Sequence, residues 1–400
     1  MSDADLIVRV AARGDGVTAD GRHAPLAAPG DRLQDGIVVA GPHHVAPVCR
    51  HFPTCGGCLL QHLDMLSQAR FVADRIAGAL AAQGVPAPPF APTHLSPPHS
   101  RRRASLRAER RGKRVLIGFS EGGSHRIVDM AECAILAPEL FALVAPLRTL
   151  LGGLLADRRG AEVRMTLADQ GVDLLLAKVA ADGLAAAEAL TDFAARHALA
   201  RLAIDDGYGP QTRWEPQPVT VTLGGVAVPL PHNAFLQATA DGEAALVAAV
   251  KAAVDGAATV ADLFAGLGTF ALALPGRVYA AEAGRDAVLA LKAAVGAAGR
   301  PLAVEHRDLY RRPLMTADLD RFAAVVLDPP RAGAAEQVAQ LASSRVPAIA
   351  YVSCNPSSFA RDAAVLVAGG YRLTGITPVG QFRWSTHVEL CAAFARPVSE

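Results

Sequence analysis

The chain has few aromatic residues, few charges and few cysteines, and each shortage excludes a class of protein. Of its 400 residues, 5% are aromatic, 19% are charged and 6 are cysteine, while 51% are hydrophobic. The formal net charge of +1 gives no overall attraction to nucleic acid, so any such attraction must be local. No apolar run approaches the roughly 18 uninterrupted residues that a membrane helix needs. We therefore expect a protein that does not enter the membrane.

The first residues and the cysteine count indicate the compartment. The stretch MSDADLIVRV has two acids and no basic segment ahead of a long apolar core, which argues against a secretory signal. We expect a cytoplasmic protein. Because thiols stay reduced there, the six cysteines are better interpreted as ligands or nucleophiles than as a disulfide framework.

The order of sequence patterns predicts three parts, since 400 residues exceed the roughly 250–300 at which one core stops growing. Residues 1–42 hold weak β patterns punctuated by glycines. Residues 43–215 hold a predicted helix over 59–83 and alternating strands, typical of an antiparallel, β-rich domain. Residues 216–400 begin with a hairpin pattern and then alternate helices with strands, which predicts a mostly parallel sheet. The fold class is therefore multidomain α/β with a Rossmann-like C-terminal domain.

A glycine-rich turn follows the first strand of that sheet and is predicted to open a helix. In DLFAGLGTFA, Gly266, Gly268 and Ala271 fit the pattern G-x-G-x-x-[GA], whose glycines let the backbone approach a ligand. Nicotinamide, flavin and S-adenosylmethionine enzymes share this pattern, and ordinary strand-helix turns mimic it. The next strand ends at Glu282, where a carboxylate can accept hydrogen bonds from ribose hydroxyls. A nucleoside cofactor is favoured over a plain turn.

Acids and a thiol end the later strands, at the edge where ligands of such sheets bind. Asp308 ends the third strand, Asp328 begins the DPPRAG turn after the fourth, and Cys354 ends the fifth. A crevice cysteine is interpreted as a nucleophile, although a packed cysteine is the alternative. Glu389, in the final strand region, is either a solvated residue or a base that reaches the same place.

Thiol, carboxylate and methyl donor together suit methylation of uracil. Carbon 5 of uracil is a poor nucleophile, and addition of a thiolate to carbon 6 converts the ring to an enolate that attacks a methyl group. A base then removes the proton from carbon 5. Asp328 is suited to accept a hydrogen bond from uracil N3–H, a group that cytosine lacks.

A cysteine cluster lies near the end of the first module. Cys49, Cys55 and Cys58 fall within ten residues, and Cys133 is the natural fourth ligand. Four thiolates suit a zinc ion or a [4Fe–4S] cluster, and the presence of only one Cys-x2-Cys pair favours the cluster. A redox disulfide between Cys55 and Cys58 is a further alternative.

A basic run separates that cluster from Cys133. Eight of the sixteen residues from His99 to Arg114 are lysine or arginine, against one acid, Glu109. A charge run is usually a solvated face, but a folded positive surface here predicts phosphate binding. The predicted RNA contacts are Arg101, Arg102, Arg103, Arg107, Arg110, Arg111, Lys113 and Arg114.

Seven motifs in order give the chain a resemblance to the S-adenosylmethionine-dependent RNA 5-methyluridine methyltransferases of bacteria. They are CRHFPTCGGCLLQHL, SHRIVDMAECAIL, HNAFLQAT, DLFAGLGTF, VLDPPRAG, YVSCNPSSFARD and STHVEL. The resemblance implies Cys354 as nucleophile, Glu389 as base, and a [4Fe–4S] cluster on Cys49, Cys55, Cys58 and Cys133. It implies cofactor contacts from Gln237, Phe264, Thr269, Glu282, Asp308 and Asp328.

The resemblance also extends to an RNA-binding module, and the chain differs from the family at several positions. Residues 5–42 look like a shortened TRAM module, an RNA-binding β-barrel of the oligonucleotide-binding kind. Family members often carry asparagine at Thr239 and Thr269, and Asp-Met-Phe-Pro in place of residues 381–384. In related 5-methylcytosine enzymes a cysteine stands where this chain has Arg331, which favours uridine.

The expected partner is RNA, with 23S ribosomal RNA favoured and transfer RNA the alternative, and the expected state is a monomer. The target uridine must leave its stack to be reached. Two rival hypotheses are a non-catalytic RNA-binding or chaperone-like protein with a cofactor fold, and an iron–sulfur oxidoreductase that uses nicotinamide or flavin.

Overall fold

The computed structural model describes residues 3–397. Within that range, no helix combines the length and the apolar character needed to cross a membrane.

The N-terminal module is built from five short strands around a small core. One antiparallel sheet has the order β1-β2-β3 and a two-stranded ladder pairs β4 with β5, with a bridge between Leu6 and Arg32 joining them. Ile7, Ala24 and Ala27 form the core. The strands are β1 (Ile7–Val10), β2 (Gly16–Thr18), β3 (His23–Ala24), β4 (Arg32–Gln34) and β5 (Ile37–Val39). The predicted β patterns of this region are confirmed.

Two elements follow that pack with the C-terminal part of the chain. Helix α1 (Met65–Ala82) begins after Asp64, whose Oδ1 accepts a hydrogen bond of 2.7 Å from the Ser67 amide. Strand β6 (His94–Leu95) lies within the proline-rich stretch that follows the helix.

The central sheet has six strands and helices on one face. Its order is β12-β11-β10-β9-β7-β8. Leu106, Val163 and Leu174 point from the strands into the core beneath those helices. The strands are β7 (Arg103–Arg111), β8 (Arg114–Gly118), β9 (Gly160–Ala168), β10 (Gly171–Ala177), β11 (Arg201–Asp205) and β12 (Gln211–Trp214). The helices are α2 (Pro138–Ala142), α3 (Val144–Leu154) and α4 (Leu184–Arg196).

The expectation of an antiparallel central domain is confirmed except at one pair. β10 and β9 form the predicted hairpin around Gln170, but β10 and β11 run parallel. Helix α4 joins these two strands, and a helical crossover returns the chain in the same direction.

The C-terminal sheet has eight strands in the order β17-β16-β15-β18-β19-β21-β20-β6. The strands from β17 to β19 are parallel, β21 is antiparallel to both its neighbours, and β6 pairs parallel with β20. The strands are β15 (Thr259–Leu263), β16 (Arg277–Glu282), β17 (Leu302–His306), β18 (Ala324–Leu327), β19 (Ala348–Ser353), β20 (Arg372–Gly380) and β21 (Glu389–Ala395). The predicted mostly parallel sheet with a hairpin-like end is confirmed.

Helices cover both faces of this sheet. One apolar core joins it to α1, α8 and α9, and a second joins it to α5, α6 and the hairpin of β13 with β14. The elements are β13 (Thr220–Leu223), β14 (Val226–Pro229), α5 (Ala240–Ala253), α6 (Arg285–Ala298), α7 (Thr316–Leu319), α8 (Ala335–Ala342) and α9 (Pro356–Ala368).

The prediction that a helix follows the glycine turn is wrong. Residues 264–274 form successive turns, with hydrogen bonds such as Leu272 N–H to Gly268 O and Leu274 N–H to Phe270 O. Pro275 comes next, and the residue before a proline is disfavoured in the helical conformation. Gly276, at φ +81°, then redirects the chain into β16.

Candidate active site and cysteine cavity

A cleft of about 810 Å³ opens at the carboxyl ends of the parallel strands. Because β21 runs antiparallel to β19, the first residue of β21 lies at the same edge as the residue that follows β19. The strand-end residues in the cleft wall are Phe264, Glu282, Asp308, Asp328, Cys354 and Glu389. Gln237, Gly266 and Thr269 line it as well. The fold thus gathers residues that lie far apart in the sequence.

The two glycines of the turn after β15 have different tasks. Gly266, at φ +55°, lines the cleft and donates its N–H to Glu282 Oε2 at 3.0 Å. Gly268 is not among the cleft-lining residues: a Cβ there would lie 2.6 Å from Leu291 Cδ1 of α6. Gly268 therefore allows close packing of the turn on a helix.

Burial and neighbouring carboxylates raise the pKa of two acids at this end of the sheet, Asp328 and Asp262. Burial and the charge of Glu282 raise the pKa of Asp328 to about 7. Asp262, fully buried behind the turn, accepts the Ala271 N–H at 2.8 Å, and burial raises its pKa to about 8. Glu282 accepts hydrogen bonds from the amides of Gly266 and Gly284, which leaves lone pairs for a ligand. A cation or hydrogen-bond donor in the cleft would be stabilised by this group of acids.

Glu389 lies close enough to Cys354 for its charge to raise the pKa of the thiol. Burial, then Glu389, then Asp328 raise the pKa of Cys354 to about 11, while the guanidinium of Arg331 opposes them. Glu389 is buried, and burial together with Asp328 raises its pKa to about 8. A thiol and a carboxyl of this kind suit nucleophilic attack and proton removal once a substrate covers them.

Gln381 is a site residue that the sequence patterns marked only as a departure. Its Nε2 donates to Gln237 Oε1 at 2.8 Å, and its Oε1 accepts the Ala238 N–H at 2.8 Å. It also hydrogen-bonds Glu389. Thr239, a second departure, caps α5 by accepting the Gly242 N–H at 3.1 Å. The role of Gln381 has no local sequence signal, because its partners lie about 140 residues away, whereas a threonine that begins a helix is a local signal.

The basic run does not form one surface. Arg101 lies between the rings of Phe119 and Phe382, at 5.6 and 5.3 Å from their centroids. Arg102 pairs with Glu243 at 2.6 Å, and Arg103 lies 4.8 Å from the Phe235 ring centroid. Arg101 and Arg103 line the cleft.

The remaining basic residues lie farther along the β7–β8 hairpin. Arg110 donates to Leu155 O, Arg111 pairs with Glu109 at 2.8 Å, and Arg114 lies 3.5 Å from Asp129. Arg107 and Lys113 are exposed. Alternation along a strand, which sends successive side chains to opposite faces, separates residues that the sequence lists together.

The four cysteines of the predicted cluster line one cavity. Cys49, Cys55, Cys58 and Cys133 are joined there by Phe52, Phe119 and Ile135. Burial, with smaller contributions from the charges of the other three cysteines, raises the pKa of Cys58 to about 12. The amides of Ile135 and Leu136 hydrogen-bond the Cys133 sulfur. Among residues 3–397, no three His, Cys, Asp or Glu side chains are grouped closely enough to hold a single metal ion.

Comparison with known families assigns the chemistry of the C-terminal part. Residues 226–396 match the model of the tRNA (Uracil-5-)-methyltransferase family. An uncharacterised RNA methyltransferase of Zymomonas mobilis is 53% identical over 393 residues, covering 98% of this chain and 99% of the relative. The 23S rRNA (uracil(1939)-C(5))-methyltransferase of Shewanella piezotolerans is 33% identical over 380 residues, covering 90% of this chain and 83% of the relative.

A solved structure matches the whole fold. The tRNA (uracil-54, C5)-methyltransferase of Pyrococcus abyssi, in complex with S-adenosyl-L-homocysteine, has a TM-score of 0.76 at 22% identity and covers 99% of this chain and 100% of its own. The C-terminal sheet therefore has the class I S-adenosylmethionine-dependent methyltransferase fold. Together with the sequence relatives, this shows that the chain belongs to the family of S-adenosylmethionine-dependent RNA uracil-C5 methyltransferases.

Proposed function

We propose that this protein methylates carbon 5 of one uridine in RNA through a covalent bond between Cys354 and carbon 6 of the ring. The observation that carries the proposal is the meeting of Cys354, Glu389 and Asp328 in one cleft with Gln237 and Glu282. These residues come from separate strand ends, and two carboxyl groups with raised pKa in one cleft are typical of a functional site.

The proposed reaction uses Cys354 twice. The thiolate adds to carbon 6, and the electrons of the C5–C6 double bond shift so that negative charge forms on O4. Carbon 5 then takes the methyl group that S-adenosylmethionine supplies when it is bound. Glu389 removes the proton from carbon 5, the double bond re-forms and the sulfur leaves as thiolate. Asp328 is proposed to accept a hydrogen bond from N3–H.

The proposed cofactor contacts are those predicted from the sequence, with Gly268 now given a packing role. The turn at Phe264–Thr269 presents backbone groups to the cleft, and the cleft acids suit the positive charge of the methyl donor. Gln381 orients Gln237 in this proposal, because their side-chain amides are hydrogen-bonded.

The proposed target is 23S ribosomal RNA. The support is the 33% identity to a Shewanella enzyme named for that RNA, over 90% of this chain. The alternative, the T-loop uridine of transfer RNA, has support from the fold alone, through the Pyrococcus structure at 22% identity.

We also infer that the cysteine cavity holds a [4Fe–4S] cluster. Four thiols with apolar neighbours and amide donors suit such a cluster, whose irons each take one thiolate. A single zinc ion is the alternative, and it is less favoured because its usual ligand layout pairs two Cys-x2-Cys units, whereas this site has one, Cys55 and Cys58. The cluster's proposed task is to shape the surface beside the cleft.

The N-terminal module is proposed to be a reduced TRAM-like domain that contacts RNA near the cleft. In support, a Cβ on Gly14 would lie 3.7 Å from Thr386 Cγ2, next to the cleft residue His387. Domain limits at residues 42 and 215, a monomeric state and a cytoplasmic location stay predictions.

The test supplies anaerobically purified protein with methyl-labelled S-adenosylmethionine and unmodified 23S or transfer RNA transcripts. We expect labelled 5-methyluridine in the ribosomal transcript, identified by digestion and mass spectrometry, and none with Cys354→Ala. Label confined to transfer RNA would reverse the proposed target. Label in 5-methylcytosine would overturn the proposed role of Asp328.

A further inference from the structure

A cluster of basic side chains lies at the end of the central sheet that is far from the cleft. Strand β7 begins at Arg103, whose side chain lines the cleft, and it ends at Arg111 in the hairpin with β8. Because a strand rises about 3.3 Å per residue, its nine residues separate the hairpin from the cleft by roughly 25 Å. Helix α3 and the turn before β9 add further cations. The hairpin patch consists of Arg110, Lys113, Arg114, Arg148, Arg158 and Arg159.

Hydrogen bonds hold two segments of the hairpin patch together. The Arg158 N–H donates to Arg110 O at 2.8 Å, and the Arg110 N–H donates to Arg159 O at 3.0 Å. Asp157 Oδ1 accepts the Gly112 N–H at 2.7 Å, across a sequence separation of 45 residues. Cations from distant parts of the chain are therefore fixed next to one another, which distinguishes the hairpin patch from a run of charges along one solvated strand.

The hairpin patch carries more positive charge than the chain as a whole. Two acids, Asp129 and Asp157, lie among its six basic residues, whereas the formal net charge of the whole chain is +1. Lys113, Arg158 and Arg159 are exposed, and their side chains make no hydrogen bond or ion pair in the part of the chain that the structure describes. Like charges held together repel one another. These three cations are therefore available to a polyanion.

An open groove of about 980 Å³ lies beside these charges, between β8 and α3. Val115 and Phe141 contribute apolar surface to its wall. Arg148 is held in the wall by Asp129 Oδ1 at 2.9 Å and by Met130 O at 2.6 Å. The other cations that line the groove are Arg110, Lys113 and Arg114. Such a lining suits a nucleic-acid strand, whose phosphates contact the cations and whose bases or riboses contact the apolar surface.

We infer that the hairpin patch and its groove form a second RNA-binding site, which holds the phosphodiester backbone of a segment outside the target loop. The inference rests on the proposed function for the identity of the substrate RNA. A separation of roughly 25 Å corresponds to about seven stacked nucleotides at about 3.4 Å each. The site therefore adds affinity for a large folded RNA and leaves the chemistry at carbon 5 unchanged.

The first arm of the test measures RNA binding without turnover. Holoprotein is titrated into a fluorescent oligouridine of about 24 nucleotides at salt concentrations from about 50 to about 300 mM, and the anisotropy is followed. We expect Lys113→Gln/Arg158→Gln/Arg159→Gln to bind roughly 10-fold or more weakly at the lowest salt concentration. The slope of log K against log salt should be shallower by about 2, because three phosphate contacts at about 0.7 each are lost.

The matched control removes one lysine and two arginines from another part of the surface. Arg277, Lys292 and Arg372 are exposed, and the two arginines begin strands of the C-terminal sheet at the edge opposite the cleft. Arg277→Gln/Lys292→Gln/Arg372→Gln should bind the oligouridine within about twofold of wild type. Equal weakening in both triple variants would reduce the effect to net charge and overturn the inference. Tighter binding of polyglutamate than of oligouridine by the wild-type protein would assign the hairpin patch to an acidic protein instead.

The second arm locates the contact on the RNA. Two transcripts contain the uridine that receives the methyl group, one with about five nucleotides on each side and one with about 25. The variant of Lys113, Arg158 and Arg159 should bind the longer transcript roughly 10-fold more weakly and the shorter one within about twofold of wild type. Its single-turnover methyl-transfer rate at saturating RNA should stay within about twofold of the wild-type rate.

Equal loss of affinity for both transcripts would place the contact at the target loop and overturn the second site. Failure of the wild-type protein to form 5-methyluridine would contradict the proposed function, whereas the oligouridine arm would still decide whether the hairpin patch binds RNA.

Discussion

At the scale of single residues, the environment of Glu389 decides when it can act as a base. Its pKa is raised to about 8, mainly by burial and further by the charge of Asp328, while Gln381 and Arg331 lower it. A carboxyl accepts a proton only when it is ionised, so a raised pKa reduces the active fraction below about pH 8. The rate of product release should therefore depend on pH below about 8, a range in which a carboxylate of ordinary pKa is already ionised.

We predict that a covalent RNA adduct formed at high pH persists when the wild-type protein is shifted to low pH, and that it resolves faster as pH rises through about 8. Well below that pKa, the release rate should fall about tenfold for each pH unit. Glu389→Gln should accumulate the adduct at every pH. The measurement is the amount of methyl-labelled, SDS-resistant protein–RNA complex over time, and Cys354→Ala/Glu389→Gln, which lacks the nucleophile, is the control. Release of methylated RNA by Glu389→Gln at the wild-type rate would show that another group removes the proton.

The functional residues at strand ends could be predicted from the sequence, whereas the cleft residues that reach them through tertiary contacts could not. Cys354 and Asp328 were identifiable because an acid or thiol ending a parallel strand faces the ligand edge. Gln381 had no such signal, since its meaning comes from hydrogen bonds to residues 237 and 238. Arg101 and Arg103 looked like surface charges, but their contacts with Phe382 and Phe235 place them in the cleft wall.

At the scale of elements, α9 anchors the loop that follows β18. Asp362, buried in α9, accepts the Ala334 N–H at 2.7 Å and the Tyr351 hydroxyl at 2.6 Å on the same carboxylate oxygen. Arg361 donates to Ala332 O at 2.9 Å. The loop with Asp328 and the helix after Cys354 are thus held as one unit.

A matched pair of tyrosine variants tests this anchoring. Tyr351→Phe removes a donor to Asp362, whereas Tyr371→Phe removes a buried hydroxyl that donates to Val346 O at 2.8 Å, away from the loop. Each should cost about 1 kcal/mol of unfolding free energy. Only Tyr351→Phe should also lower the methyl-transfer rate, by about 3–10-fold, with cofactor affinity preserved. Equal rates in the two variants at equal loss of stability would argue that the loop needs no such anchor.

Long periodic elements were predictable from sequence, and short ones were not. The alternation of helices and strands after residue 231 was clear because most of the apolar strands are followed by an amphipathic segment, although residues 264–274 after β15 form turns. β6 was missed, since two residues within a proline-rich stretch carry no periodicity. Its strand character comes from pairing with Val379 and Gly380.

At the scale of the whole molecule, the cysteine cavity joins parts of the chain that are distant in sequence. Cys58 packs with Ile135 and Trp384, and the Trp384 carbonyl accepts the amides of Leu59 and Leu60. The cavity thus borders the segment that leads to Glu389. A cluster bound in this cavity is expected to stabilise the contacts among these segments more than it stabilises the cofactor-binding part of the cleft.

We predict that anaerobically purified protein carries about four irons per chain and that Cys133→Ser loses them. The variant should unfold at lower temperature, while its affinity for S-adenosylhomocysteine changes by less than about twofold because none of the proposed cofactor residues lines the cysteine cavity. Cys391→Ala, which removes a buried cysteine of β21, should keep its iron. Zinc in place of iron, or iron retained by Cys133→Ser, would contradict the cluster. Metal analysis and thermal unfolding give both answers.

The early position of β6 in the chain has a consequence for how the protein folds during synthesis and how its gene can recombine. β6 and α1 leave the ribosome before any strand of the sheet they complete, so they must wait, unpaired, for β20 and α9. A chain cut down to residues 226–396 would expose the edge of β20 and the apolar face that α1 covers. The N-terminal part and the C-terminal part of this enzyme therefore cannot be exchanged independently between relatives. A recombination point between them would have to carry the segment 65–95 along with the catalytic half.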